Sequence, residues 1–112
     1  MTRRSPMDLA ADHQRIVLEI LRGYSPRGAK TWVFGSRATG RARRYSDLDL
    51  VIDAGRRLTL DEIAALAEAF SDSDLPYKVD LVDWQAADNH WREMIAAERI
   101  SLDGATKSDS GG

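Results

Sequence analysis

The sequence contains no cysteine. That excludes disulfides, thiolate nucleophiles and cysteine-ligated zinc together. Histidine is scarce: only His13 and His90 are present, neither has a partner at ligand spacing, and each is read as a helix-surface or packing residue. No apolar run is long enough to cross a bilayer. The segment Met1–Met7 has basic residues but no apolar stretch behind them, so it is not read as a signal peptide. A cytoplasmic protein without membrane contact is expected. Charge of one sign is also lacking: 16 Lys and Arg face 18 Asp and Glu, for a net charge of -2. No global field draws such a chain to nucleic acid, and nucleic acid is not expected as a direct ligand.

What is present suits one α/β domain. The 112 residues are 43% apolar and 30% charged, enough for one core and not two. Residues 8–22 are expected to form a helix, because Ile16 and Ile20, and Val17 and Leu21, recur at four-residue spacing. Gly23 and Ser25-Pro26-Arg27-Gly28 end it. The β-prone run Thr31–Phe34 predicts a strand, and Leu48–Ile52 a second. Thr59 and Glu62 have capping-box spacing ahead of an alanine-rich helix reaching about Phe70. Ser71–Pro76 reads as a loop, Tyr77–Val82 as a third strand, and Ala87–Arg99 as a last helix with Trp91, Met94, Ile95 and Glu98 at helical spacing. Three core strands follow, with a fourth left open, and helices pack against them. The domain is expected over residues 1–102, with a small polar tail over 103–112.

The chemistry lies in three acidic residues and one glycine-serine step. In Ser46–Ile52, alternation sends Asp47 and Asp49 to one face and Leu48, Leu50 and Ile52 to the other. Two carboxylates side by side repel each other and give a purely structural protein nothing. A divalent cation turns that repulsion into binding, and hard oxygen ligands suit Mg²⁺ or Mn²⁺. Asp80 takes the polar parity of the Tyr77–Val82 strand, opposite Val79 and Leu81. If that strand lies beside the Asp47–Asp49 strand, a third carboxylate joins the first two. Three carboxylates can hold two ions roughly 4 Å apart for in-line displacement at phosphorus, with Asp80 as metal ligand or general base.

Gly35-Ser36 follows a strand and precedes an expected turn of helix, Arg37-Ala38-Thr39-Gly40. Gly35 lets backbone approach a ligand closely, and the following N–H groups and the Ser36 hydroxyl can bind phosphate oxygens. No Gly-x-x-x-x-Gly-Lys-Ser/Thr loop is present. Arg37, Arg41, Arg43 and Arg44 crowd the next segment, as a solvated loop or as a phosphate-facing edge; the second reading adds Arg37 to the nucleotide-binding set. Asp53 is read as a turn residue, Asp83 as a helix cap, and Lys78 as part of a solvated strand edge. Trp32 is assigned to the core; Trp84 and Trp91 are core or rim, and would mark a partner surface if exposed.

Gly35-Ser36-Arg37-Ala38-Thr39-Gly40, ten residues after Ser36, and then Asp47-Leu48-Asp49-Leu50 resemble the signature of the polymerase-β-type nucleotidyltransferase superfamily. The short length resembles its minimal branch, the antitoxin partners of HEPN-domain ribonuclease toxins. The resemblance covers about Lys30–Trp84. It implies triphosphate binding by Gly35 and Ser36, metal binding by Asp47 and Asp49, and Asp80 as the third carboxylate, which some minimal members lack. It also implies ATP as donor, a tyrosine of a partner HEPN toxin as acceptor, and a hetero-oligomer. A non-catalytic antitoxin acting by occlusion, and a transferase modifying an antibiotic hydroxyl, stand as alternatives.

Overall fold

The computed structural model describes residues 9–43 and 45–102. The element order is α1 (Ala11–Tyr24), β1 (Lys30–Phe34), α2 (Ser36–Thr39), β2 (Leu48–Asp53), α3 (Leu60–Ser71), β3 (Val79–Asp83), a 3-10 turn (Trp84–Ala86), α4 (Asn89–Glu98) and β4 (Ile100–Ser101). The four strands form one mixed sheet in the order β3-β2-β1-β4. β1 runs antiparallel to β2 and to β4, whereas β2 and β3 are parallel. A parallel pair needs a crossover, and α3 supplies it.

Each face of the sheet has its own apolar layer. Leu48, Leu50 and Ile52 of β2 and Val33 of β1 are fully buried on one face. They pack in one cluster with Val17 and Leu21 of α1, Leu66 and Phe70 of α3, and the half-buried Val79 and Leu81 of β3. On the opposite face Phe34, Val51 and Ile95 of α4 form a smaller cluster with Trp32, Val82 and Trp84. The alternation expected for β2 is therefore present, and it fixes the strand's rotation: burying each of the three aliphatic side chains contributes about 1.5–3 kcal/mol, and a one-residue slip would turn all of them outward.

The helix caps follow the local sequence. Thr59 Oγ1 accepts from the Glu62 N–H at 3.0 Å, and Glu62 Oε1 accepts from the Thr59 N–H at 2.8 Å, completing the expected capping box. Asp88 caps α4 by accepting from the Trp91 N–H. Asp83 caps the 3-10 turn by accepting from the Gln85 N–H, and its other oxygen accepts from the Leu58 N–H. Asp53 closes a turn on the Gly55 N–H.

Several boundaries differ from expectation. α1 runs past Gly23 to Tyr24, because glycine in a helix costs only about 1 kcal/mol, while Pro26 forces Ser25 into an extended conformation (φ -77°, ψ 151°). The expected start of α1 at Asp8 lies outside the described residues, as does the tail over 103–112. β3 begins two residues later than read. Tyr77 turns aside to pack on the core, and its hydroxyl meets His13 Nδ1 at 3.0 Å. β4 joins as the fourth strand, pairing Val33 with Ile100 and Trp32 with Ser101.

Candidate active site

The site forms where β1 ends and β2 begins. With Leu48 and Leu50 locked into the core, Asp49 lies on the opposite face and is half-buried, and Asp47 just ahead of the strand is exposed. The parallel register pairs Asp49 with Asp80, so the two carboxylates stand on adjacent strands. The antiparallel register pairs Phe34 with Asp49, which brings the next residue, Gly35, alongside.

Gly35 has φ 76° and ψ -151°, a region essentially reserved for glycine. A Cβ added there would lie 2.5 Å from Asp49 Oδ2. The Asp49 carboxylate thus rests directly against the Gly35 backbone. The close approach read from the sequence was to a ligand; the neighbour here is the Asp49 carboxylate. Ser36 opens α2, and the turn closes with Gly40 in the left-handed region, whose N–H bonds the Ser36 carbonyl.

The electrostatics are those of crowded acids. The Asp49 carboxyl is pushed up from its ordinary 3.8 to about 6, first by burial and then by the charges of Asp80, Asp47 and Glu98. Cationic relief is thin. Lys78 Nζ lies 3.7 Å from Asp80 and Arg41 Nη2 lies 4.0 Å from Glu98, and both cations are largely exposed. A set of hard carboxylate oxygens crowded on one face fits a divalent cation, which would relieve their mutual repulsion. Among the described residues, no three such side chains are already gathered into a closed ligand set. Closing it requires side-chain rotation; Asp47 is exposed and the Asp80 side chain is partly exposed.

Arg37 lies in the single turn of α2. It is only 5% exposed. Its Nε and Nη2 donate to the Ser46 carbonyl at 3.1 and 2.9 Å, and Nη2 reaches the Arg43 carbonyl at 3.4 Å. Its guanidinium lies 3.9 Å above the Tyr77 ring. The contacts of the Arg37 head group are thus with this loop and with Tyr77. A planar, permanently charged head group that fills its donors on two carbonyls and stacks on an aromatic is suited to burial, and here it fixes the loop that delivers Asp47. Ser46 Oγ reinforces that loop by accepting from the Arg43 N–H at 2.8 Å. Of the other arginines, Arg41 and Arg43 are exposed and Arg44 lies outside the described residues.

Glu98 is the site residue that sequence reasoning missed. It ends α4, and its Oε1 accepts from the Gly35 N–H at 3.2 Å. The available signal was a carboxylate in series with the buried Ile95 and the half-exposed Met94, where an apolar stripe would continue with an apolar residue. Trp32 and Trp84 lie under the guanidinium of Arg99, at 4.1 and 4.8 Å, and pin the chain directly after Glu98. Trp91 is 45% exposed.

A family model described as polymerase beta, nucleotidyltransferase, matches residues 17–105. The chain is 42% identical over 95 residues to the probable protein adenylyltransferase MntA of Haemophilus influenzae, spanning 85% of this chain and 82% of that protein. A solved toxin–antitoxin structure with AMP-PNP superposes with a TM-score of 0.70 at 27% identity, covering 80% of this chain and 71% of the matched one. A complex of tri-AMPylated Shewanella oneidensis HEPN toxin with MNT antitoxin matches with a TM-score of 0.63 at 24% identity, over 80% of this chain and 67% of that one, and shows the shared fold. With a family match across most of its length, and a relative whose length it largely spans, the chain belongs to the polymerase beta nucleotidyltransferase family.

Proposed function

We propose that this protein transfers AMP from ATP to a tyrosine hydroxyl of a HEPN-type toxin, and so serves as that toxin's antitoxin in a hetero-oligomer. The observation that carries the reading is the pairing of Asp49 with Asp80 on adjacent parallel strands, with the Gly35 backbone seated against Asp49. The 42% identity to a protein named as a probable protein adenylyltransferase supports the activity. The fold shared with toxin–antitoxin complexes, one of them holding AMP-PNP, supports the donor and the partner.

In this reaction the tyrosine oxygen forms a bond to the α-phosphorus of ATP. The bond from that phosphorus to the bridging oxygen breaks, and pyrophosphate leaves with the electron pair. Asp47, Asp49 and Asp80 would hold two Mg²⁺ ions, which supply Lewis-acid polarisation of the phosphates and lower the pKa of the attacking hydroxyl. Asp80, whose side chain is 44% exposed, would act as a metal ligand or take the hydroxyl proton. The Gly35 and Ser36 N–H groups and the Ser36 hydroxyl hold triphosphate oxygens. Arg37 keeps the Arg43–Ser46 loop in place and so positions Asp47. The acceptor tyrosine comes with the partner toxin.

The test is incubation with the cognate toxin and ATP labelled at either the α- or the γ-phosphate. Label from the α-position on a toxin tyrosine, with none from the γ-position, is the expected result. A tight complex without label would replace this reading with inhibition by occlusion.

A further inference from the structure

We propose that Glu98 is an anionic placeholder that holds the Gly35 N–H and faces Arg41, and makes nucleotide binding depend on the divalent cation. The inference rests on the reading of Gly35 and its neighbours as the triphosphate cradle.

Three observations on one side chain support it. Glu98 Oε1 accepts from the Gly35 N–H at 3.2 Å, a donor that the triphosphate would use. Its other oxygen is 4.0 Å from Arg41 Nη2, on an exposed arginine beside the same turn. Its charge also bears on Asp49, beside Asp80 and Asp47. A carboxylate therefore holds a donor that the proposed cradle would offer to phosphate, and it adds a fourth negative charge to a face that already carries three.

The position is built in by the fold. α4 is anchored by Ile95, which is fully buried, and by the Asp88 cap. Directly after Glu98, Arg99 lies against Trp32 and Trp84, and Ile100 pairs with Val33 of β1. The backbone of residue 98 is thus held from both sides, while its side chain remains 29% exposed. Arg41 compensates the charge only weakly, since its side chain is 74% exposed and solvated.

The consequence is a choice between ligand forms. A metal-free triphosphate must displace Glu98 from the Gly35 N–H while bringing up to four more negative charges against four carboxylates. A metal-loaded triphosphate arrives with most of that charge neutralised, and the carboxylates then gain cations. Once Glu98 leaves, both the Gly35 N–H and Arg41 are released to the phosphates. Glu98 thereby penalises the unloaded nucleotide most.

The experiment is titration with a non-hydrolysable ATP analogue, with Mg²⁺ and with EDTA, on the full chain as wild type, Glu98→Gln and Glu98→Asp. Glu98→Gln keeps the shape and removes the charge. It is expected to bind metal-free analogue about tenfold tighter than wild type, and the Mg²⁺ form only about two- to threefold tighter. Glu98→Asp keeps the charge but is one methylene too short for the Gly35 N–H, and is expected to tighten the metal-free form by about threefold. If Glu98→Gln does not fold, Glu98→Asp decides alone on the same criterion. Unchanged or weaker metal-free binding in the folded variants would overturn the placeholder role while leaving the nucleotide site intact. Wild-type protein that is folded and yet binds no Mg²⁺ form would overturn the cradle itself, and the placeholder with it.

Discussion

Replacing Asp49 with asparagine should stabilise the protein when no metal is present. The Asp49 carboxyl is held up to about 6 from an ordinary 3.8, by burial first and by Asp80, Asp47 and Glu98 after it. Between those two values the native state keeps a proton that the unfolded chain has released. Stability from this group is therefore present at low pH and lost as pH rises through that interval. The shift of about two pH units would correspond to about 3 kcal/mol, but Asp49 is only half-buried and water screens it, so about 1–2 kcal/mol is the working figure. In a domain of this size that is roughly 5–10 °C in melting temperature. The assay is thermal unfolding in EDTA of wild type and Asp49→Asn, at about pH 7.5 and about pH 3.5. The variant should melt higher at the upper pH, and the gap should close at the lower one, where both chains are uncharged at this position. Mg²⁺ should raise the melting temperature of wild type and leave Asp49→Asn nearly unmoved. A variant equal to or weaker than wild type at the upper pH, or a gap that ignores pH, would refute the idea that unrelieved charge strains this site.

Other perturbations act through separate contacts. Gly35→Ala places a methyl group 2.5 Å from Asp49 Oδ2 at a φ of +76°, and should cost about 2–3 kcal/mol in urea unfolding together with most AMP transfer; normal stability and transfer would show that the close approach is unnecessary. Arg37→Lys keeps the charge but loses the fork on the Ser46 carbonyl and the stacking on Tyr77. It should destabilise by about 2 kcal/mol and lower transfer without altering nucleotide affinity as strongly, whereas loss of affinity alone would return Arg37 to the phosphate-binding set. Thr59→Ala removes the α3 cap and should cost about 1 kcal/mol with transfer unchanged, which denaturant titration beside an activity assay will check.

The parts of this architecture that were legible in the sequence are those with a repeating pattern or a complete local motif. The alternation of Leu48, Leu50 and Ile52 with Asp49 gave the strand and its facing, and the structure buries the three aliphatic residues completely. Thr59 and Glu62 specified their own cap. Asp53 and Asp83 were readable because a carboxylate at an element end bonds a backbone N–H within two or three residues. β4 was not readable: two residues display no period, and Ile100–Ser101 is a strand only because β1 offers an edge. The burial of Arg37 was not legible, because a run of arginines beside acids looks the same whether a head group points outward or folds back on the chain. Its burial is decided by Tyr77, forty residues away, and by the carbonyls at 43 and 46. Glu98 was missed for a similar reason, since its partner Gly35 is 63 residues distant. Long-range contacts made by single polar side chains leave no periodic trace.

The most direct test of the carboxylate site is transfer of α-labelled AMP to the cognate toxin by wild type, Asp47→Asn, Asp49→Asn and Asp80→Asn, each first shown to be folded by circular dichroism and to bind the toxin. The arrangement of Asp49 beside Asp80, with Asp47 just ahead of the strand, predicts that each substitution lowers transfer on the order of a hundredfold or more while the protein complex survives. Transfer at the wild-type rate by folded Asp49→Asn would contradict it.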